Sequence, residues 1–183
     1  MRPPKLVKPY VISFCRSIVK NPEPLYVPVR PLRRAPADEC FRILPKHIAS
    51  YGGDQVTGWT IWEWPRVLIE AEFHCIWRQP EGELLDITPK SVPVPRILFL
   101  PDPNRKYRGR QIDNFRKPLD HDPAIKRFLA SRIHQAFNEG ELADYHGPVE
   151  LSEEAIRDEI EQQELQRILV RRYGANTPEV ITP

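Results

Sequence analysis

Cysteine is scarce in this chain of 183 residues: there are three, Cys15, Cys40 and Cys75. An odd number at wide spacing is no disulfide framework, and with no CxxC pair a zinc finger is not expected. No apolar run approaches the roughly 18 residues that cross a bilayer. The basic N-terminus carries only the short apolar patch Val11-Ile12-Ser13-Phe14, flanked by proline, which is not the pattern of a signal peptide. There are no internal repeats and no nucleic-acid module, and His121, His134 and His146 have no ligand spacing. These absences point to a cytoplasmic protein with reduced thiols, no membrane association, no nucleic-acid partner and no bound cofactor.

Proline, by contrast, is abundant: 21 residues, concentrated in 1–36 and 89–123, which reads as extended or loop-like chain. The formal net charge is only +2, unevenly spread. Residues 1–36 hold eight Lys/Arg against the single acid Glu23, residues 105–117 hold six basic residues and one acid, and residues 150–166 are acidic. The basic loop reads as solvated surface or as a contact for an anionic ligand. Three parts are expected: a proline-rich basic arm over 1–36, an α+β core over 37–120, and a C-terminal helical segment over 121–183.

Within the arm, strands are expected at Tyr10–Phe14 and Leu25–Val29. Residues 38–51 read as a helix with Asp38 as N-cap and a disturbance at Pro45. Residues 55–64, 67–78 and 83–88 are rich in β-branched and aromatic residues and read as successive strands, with 96–100 as a fourth. Asp122 followed by Pro123 opens a helix through Ile133 and Phe137 to Gly140. A second C-terminal helix, about 152–172, carries a thin apolar stripe of Ala155, Ile156, Ile160, Ile168 and Leu169 and can pack on the domain or on a protein partner. The fold class is α+β: a small antiparallel sheet, a cysteine-bearing helix before it, and two C-terminal helices.

The segment Phe73–Pro89 carries the chemistry. Gln79-Pro80-Glu81-Gly82-Glu83 is a hairpin turn: proline suits the first corner, and Gly82 takes the left-handed position that closes a three-residue loop. Gln79 then faces Glu83, Ile76 faces Asp86 and His74 faces Thr88. This register puts His74 and Asp86 on one face as diagonal neighbours; a two-residue loop would separate them. The other face (Ile69, Ala71, Phe73, Cys75, Trp77) is continuously apolar, so Cys75 reads as a buried structural thiol.

Cys40, near a helix start, is placed where the dipole favours thiolate. A histidine can hold that thiolate as an ion pair and later protonate a leaving group, and a carboxylate on the far ring nitrogen fixes the tautomer. The order is cysteine on a helix, histidine on a strand, aspartate on the next strand. Over residues 38–90 it resembles the core of transglutaminase-like and papain-like cysteine enzymes, and "HCIW…GELLDITP" is similar to the His–strand–Asp segment of the transglutaminase-like branch. The resemblance implies Cys40 as nucleophile, His74 as base and Asp86 as orienter, in a hydrolase or acyl-transfer enzyme acting on an amide or thioester such as a peptide. Trp59 and Trp62 are candidate substrate-binding residues or oxyanion donors, as is the amide of Cys40.

Two other readings compete. Glu70, Glu72 and His74 alternate on one face and, with His47 from the helix, can be written as a divalent-metal site. Alternatively the chain is a non-catalytic interaction module using its basic arm and charged C-terminal helix.

Overall fold

A computed structural model describes residues 1–109, 112–130 and 153–175. Two long strands form its centre, β2 (Asp54–Trp64) and β3 (Leu68–Arg78), paired antiparallel from Asp54↔Arg78 to Trp64↔Leu68. Both are dense in β-branched and aromatic residues, and both of their faces are buried along most of their length. Around them lie β1 (Leu25–Pro28), β4 (Leu84–Leu85), β5 (Arg96–Pro101) and β6 (Phe115–Pro118). The sheet runs β1-β5-β2-β3-β4, with β6 on the outer edge of β3 over Leu68–Ala71. With four helices among the described residues the fold is α+β, a cysteine-bearing helix preceding the central strands.

The sheet curls until its ends meet. Beyond β1 and β4 the two chains run parallel: Asp86 N–H donates to Pro28 O (3.0 Å), Arg30 N–H to Asp86 O (2.9 Å) and Leu32 N–H to Ile87 O (2.9 Å). The closed interior holds Val27, Trp62, Ile76, Ile97 and Phe99. Gly58 permits the curl, since a Cβ there would lie 2.3 Å from the Leu100 carbonyl oxygen and 2.7 Å from the Phe99 ring.

Two helices cover the outer face. α1 (Pro9–Arg16) sets Val11, Phe14 and Cys15 against Trp59, Ile61, Phe73 and Leu100. α2 (Cys40–Tyr51) sets Cys40, Ile43 and Leu44 against Cys75, Trp77, Leu85 and Ile87. The strand expected at Tyr10–Phe14 is therefore a helix. Pro9 fills the first helical position, and apolar residues at 11, 14 and 15 follow helical spacing. Nor is 1–36 an arm laid over the surface. It supplies α1 and β1, and Arg2 pairs through its backbone with Glu63 (3.1 and 2.8 Å).

Asp38 does not cap α2. It adopts φ +60° and its carboxylate accepts from the Ser91 hydroxyl, while Glu39 holds the cap position without a side-chain capping bond to the helix N–H groups. Pro45 lies inside α2 without ending it, at the cost of the helical donor to the Phe41 carbonyl.

The basic loop ends in β6, a strand the composition did not announce. Asp122 caps α3 (Pro123–Leu129), its Oδ1 accepting from Ala124 N–H at 2.8 Å. The expected continuation to Gly140 lies outside the described residues. α4 (Glu153–Tyr173) packs Leu165 and Leu169 inward, Leu169 joining Trp64, Val67, Leu68 and Ile125. Ile156, Ile160 and Ile168, expected on its apolar stripe, are exposed. Among the described residues no helix is long and apolar enough to cross a membrane.

Candidate active site

The hairpin loop is built as its residues dictate. Gln79 N–H donates to Glu83 O and Gly82 N–H to Gln79 O, both at 2.8 Å, and Gly82 has φ +96°. Trp77 faces Leu85 and Arg78 faces Leu84, so Asp86 lies diagonal to His74. Their side chains meet inside the sheet: His74 Nε2 is 3.0 Å from Asp86 Oδ2, with the two side chains 2% and 0% exposed.

Asp86 is held from several directions. Its backbone N–H and C=O are both bonded to the chain that continues β1, and its Oδ1 accepts from Thr88 N–H at 2.9 Å. A fourth group completes the network. Lys90 Nζ lies 3.1 Å from Asp86 Oδ2 and 3.1 Å from His74 Nε2, its side chain 4% exposed. Sequence reasoning passed over Lys90. The only signal was its place four residues beyond Asp86, just past Pro89, and only the turn at Thr88 brings the two together.

Cys40 arrives from the other side. β6 covers the edge of β3 only as far as Ala71, and β4 pairs with that edge only at Trp77 and Arg78. Between them the edge is open, and there Cys75 N–H donates to Cys40 Sγ at 3.4 Å. The His74 ring lies close enough for its charge to act on the Cys40 sulfur. Three of the sequence candidates, Cys40, His74 and Asp86, thus converge around a strand edge rather than on one face of the sheet. Cys40 is 3% exposed.

The electrostatics follow from these contacts. Burial by itself raises the Cys40 thiol, but the Cys75 thiol hydrogen bond and the positive His74 ring outweigh it and bring Cys40 down to about 4. Burial and Lys90 push His74 down, yet the Cys40 and Asp86 charges raise it to about 9. Asp86 is opposed by burial but held well below the usual carboxylate range by His74 and Lys90. Two anions (Cys40, Asp86) and two cations (His74, Lys90) therefore form a buried set with no net charge. The other thiols differ: burial raises Cys15 to about 11, and burial with the Cys40 contact raises Cys75 far above the ordinary thiol range.

Two cavities flank the start of α2 and share Glu72 and Asn114. One, about 190 Å³, is walled by Glu39, Phe41, Phe73 and Tyr107; the other, about 220 Å³, by Asp38, Trp62, Lys90 and Ser91. Trp62 thus borders the site, although its Nε1 is already bound to Glu72 Oε2 at 2.7 Å. Trp59 does not. It is fully buried on the α1 side with its Nε1 donating to Asp102 at 3.0 Å, a core residue with no N–H left for a substrate.

The metal reading is not supported by the geometry. Arg116 holds Glu70 at 2.6 Å, Trp62 holds Glu72, and Asp86 holds His74. His47 stacks on Tyr51 and meets Trp77 edge-on. Among the described residues no group of three His, Cys, Asp or Glu side chains can hold a metal ion. Comparison with protein families, curated protein sequences and solved structures gives no match.

Proposed function

We propose that the chain is a cysteine-dependent hydrolase or acyl-transfer enzyme acting on an amide or thioester. The observation that carries this reading is the convergence of Cys40, at the first position of α2 and bonded to the Cys75 N–H, with the adjacent His74, whose Nε2 is anchored on buried Asp86. In this scheme the Cys40 thiolate attacks the substrate carbonyl. The N–H groups of Cys40 and Phe41, in the first turn of α2, have no intrahelical acceptor and can receive the oxyanion. The His74 imidazolium protonates the departing amine or thiol, leaving an acyl-thioester on Cys40. Neutral His74 then takes a proton from water, or from an acceptor amine, which attacks the acyl carbon and releases the thiolate. Asp86 keeps the ring oriented throughout.

The test is acyl capture. With a simple aryl thioester, intact-mass analysis is expected to find one acyl group on Cys40, lost in Cys40→Ala and retained longer in His74→Ala, whose deacylation lacks a base. Acylation distributed over all three thiols, or absent while the denatured protein is acylated, ends the proposal.

A second reading, a protein-interaction module, is favoured by exposed Ile156, Ile160 and Ile168 on α4. A protein partner retained by the full chain and lost on deleting 150–183, together with an unreactive Cys40, would decide for it.

A further inference from the structure

A second site lies on the α1 side of the sheet. The turn after α1 and the loop after β5 enclose a cleft of about 840 Å³, with Lys20, Arg105, Lys106 and Arg108 on its walls. Its one acid among the described residues is Asp102, whose Oδ2 accepts from the Trp59 indole inside the core. Several cations elsewhere are matched, among them Arg2 with Glu63, Arg116 with Glu70 and Arg172 with Asp122. Among the described residues no acid pairs with any of the four cleft cations.

The loop that carries three of them is pinned. Arg105 N–H donates to Asp102 O at 3.1 Å, and the Arg105 guanidinium lies 5.7 Å from the Trp59 ring centroid. Tyr107, between Lys106 and Arg108, turns inward and stacks on Phe41 at 4.1 Å. Unmatched positive charge on an anchored loop is a prepared anion receptor. The guanidinium groups suit the paired oxygens of phosphate. Ile18, Val19 and Ile112 add an apolar wall, and the volume falls within the roughly 300–1,000 Å³ of small-molecule sites. A nucleic-acid strand would need stacking aromatics along a track, and no aromatic among the described residues lines this cleft.

We propose that this cleft binds a small phosphate-bearing anion of nucleotide size, its phosphates on Arg105, Lys106 and Arg108 and its apolar part against Ile18 and Val19. The site is separate from the Cys40 network and does not depend on that network being catalytic.

The experiment is calorimetric titration of the full chain with ATP and with pyrophosphate, at low and high salt. Saturable binding of one ligand per chain is expected, weakened by salt. It should fall about tenfold or more in Arg105→Ala/Lys106→Ala/Arg108→Ala and in the single exposed-site variant Lys106→Glu, and stay unchanged in Arg33→Ala/Arg34→Ala. Circular dichroism checks that each variant is folded. Undiminished affinity in folded Lys106→Glu, an equal loss in the Arg33/Arg34 control, or no saturable heat at millimolar pyrophosphate and ATP overturns the proposal. So does an oligonucleotide that binds more tightly than ATP.

Discussion

The backbone N–H of Cys75 donates to the sulfur of Cys40 across 3.4 Å, while the preceding side chain, His74, lies on the opposite face of the strand and bonds Asp86. Consecutive strand residues cannot serve one site on one face. They serve one here because Cys40 stands at an open edge, where a strand's outward N–H and its inward neighbour are both within reach.

Thiol reactivity is the first consequence. Alkylation of Cys40 by iodoacetamide, followed by peptide mass spectrometry, should hold a level rate between about pH 4 and about pH 9, the range in which thiolate and imidazolium coexist. Cys15, pushed up to about 11, should lag far behind throughout. In His74→Ala the acid limb should move toward that of an ordinary thiol, with the rate near neutrality falling about tenfold or more. A Cys40 profile indistinguishable from that of Cys15 contradicts the ion pair.

Lys90 should matter to both stability and protonation. Lys90→Met leaves the buried set with two anions and one cation, and is expected to cost on the order of 3 kcal/mol in urea denaturation. The lysine holds the His74 ring down, so its loss should move the basic limb of the alkylation profile to higher pH. Lys90→Arg, which keeps the charge, should restore most of the stability.

Folding stability should depend on acid in a defined window. His74 is raised from 6.5 to about 9, so its contribution is complete below pH 6.5 and is lost as pH rises through about 9. Cys40 is lowered from 9.0 to about 4, so its contribution is complete above pH 9 and is lost as pH falls through about 4. Between 6.5 and 9 the folded and unfolded pairs each hold one proton and the two trends cancel. Below 6.5 the unfolded pair holds two, and stability falls toward pH 4. Urea midpoints at about pH 5 and about pH 7.5 should therefore differ, and Cys40→Ser should remove most of the difference.

Gly58→Ala tests the curl of the sheet. The new Cβ meets a backbone oxygen at 2.3 Å, which cannot swing aside as a side chain can. A loss of roughly 2–3 kcal/mol or more in denaturant unfolding is expected. An unchanged midpoint would mean that β5 can retreat from β2 freely.

Short-range chemistry was legible in the residues themselves. Pro80 and Gly82 set the loop length, the loop set the pairing, and the pairing put His74 diagonal to Asp86, all within about a dozen residues. The Asp122 cap and the long aromatic strands were readable for the same reason. Tyr10–Phe14 misled because its short apolar run fits both periods; what decided it was the packing of Val11, Phe14 and Cys15 against the sheet.

Contacts between distant segments answered to packing alone. Nothing local announces that 28–32 will close on 86–87, that β6 will stop at Ala71 and leave an edge for Cys40, or that Lys90 will turn back onto Asp86. Each depends on how the sheet curls and on which groups must find partners once water is excluded, and neither quantity belongs to any single stretch of chain.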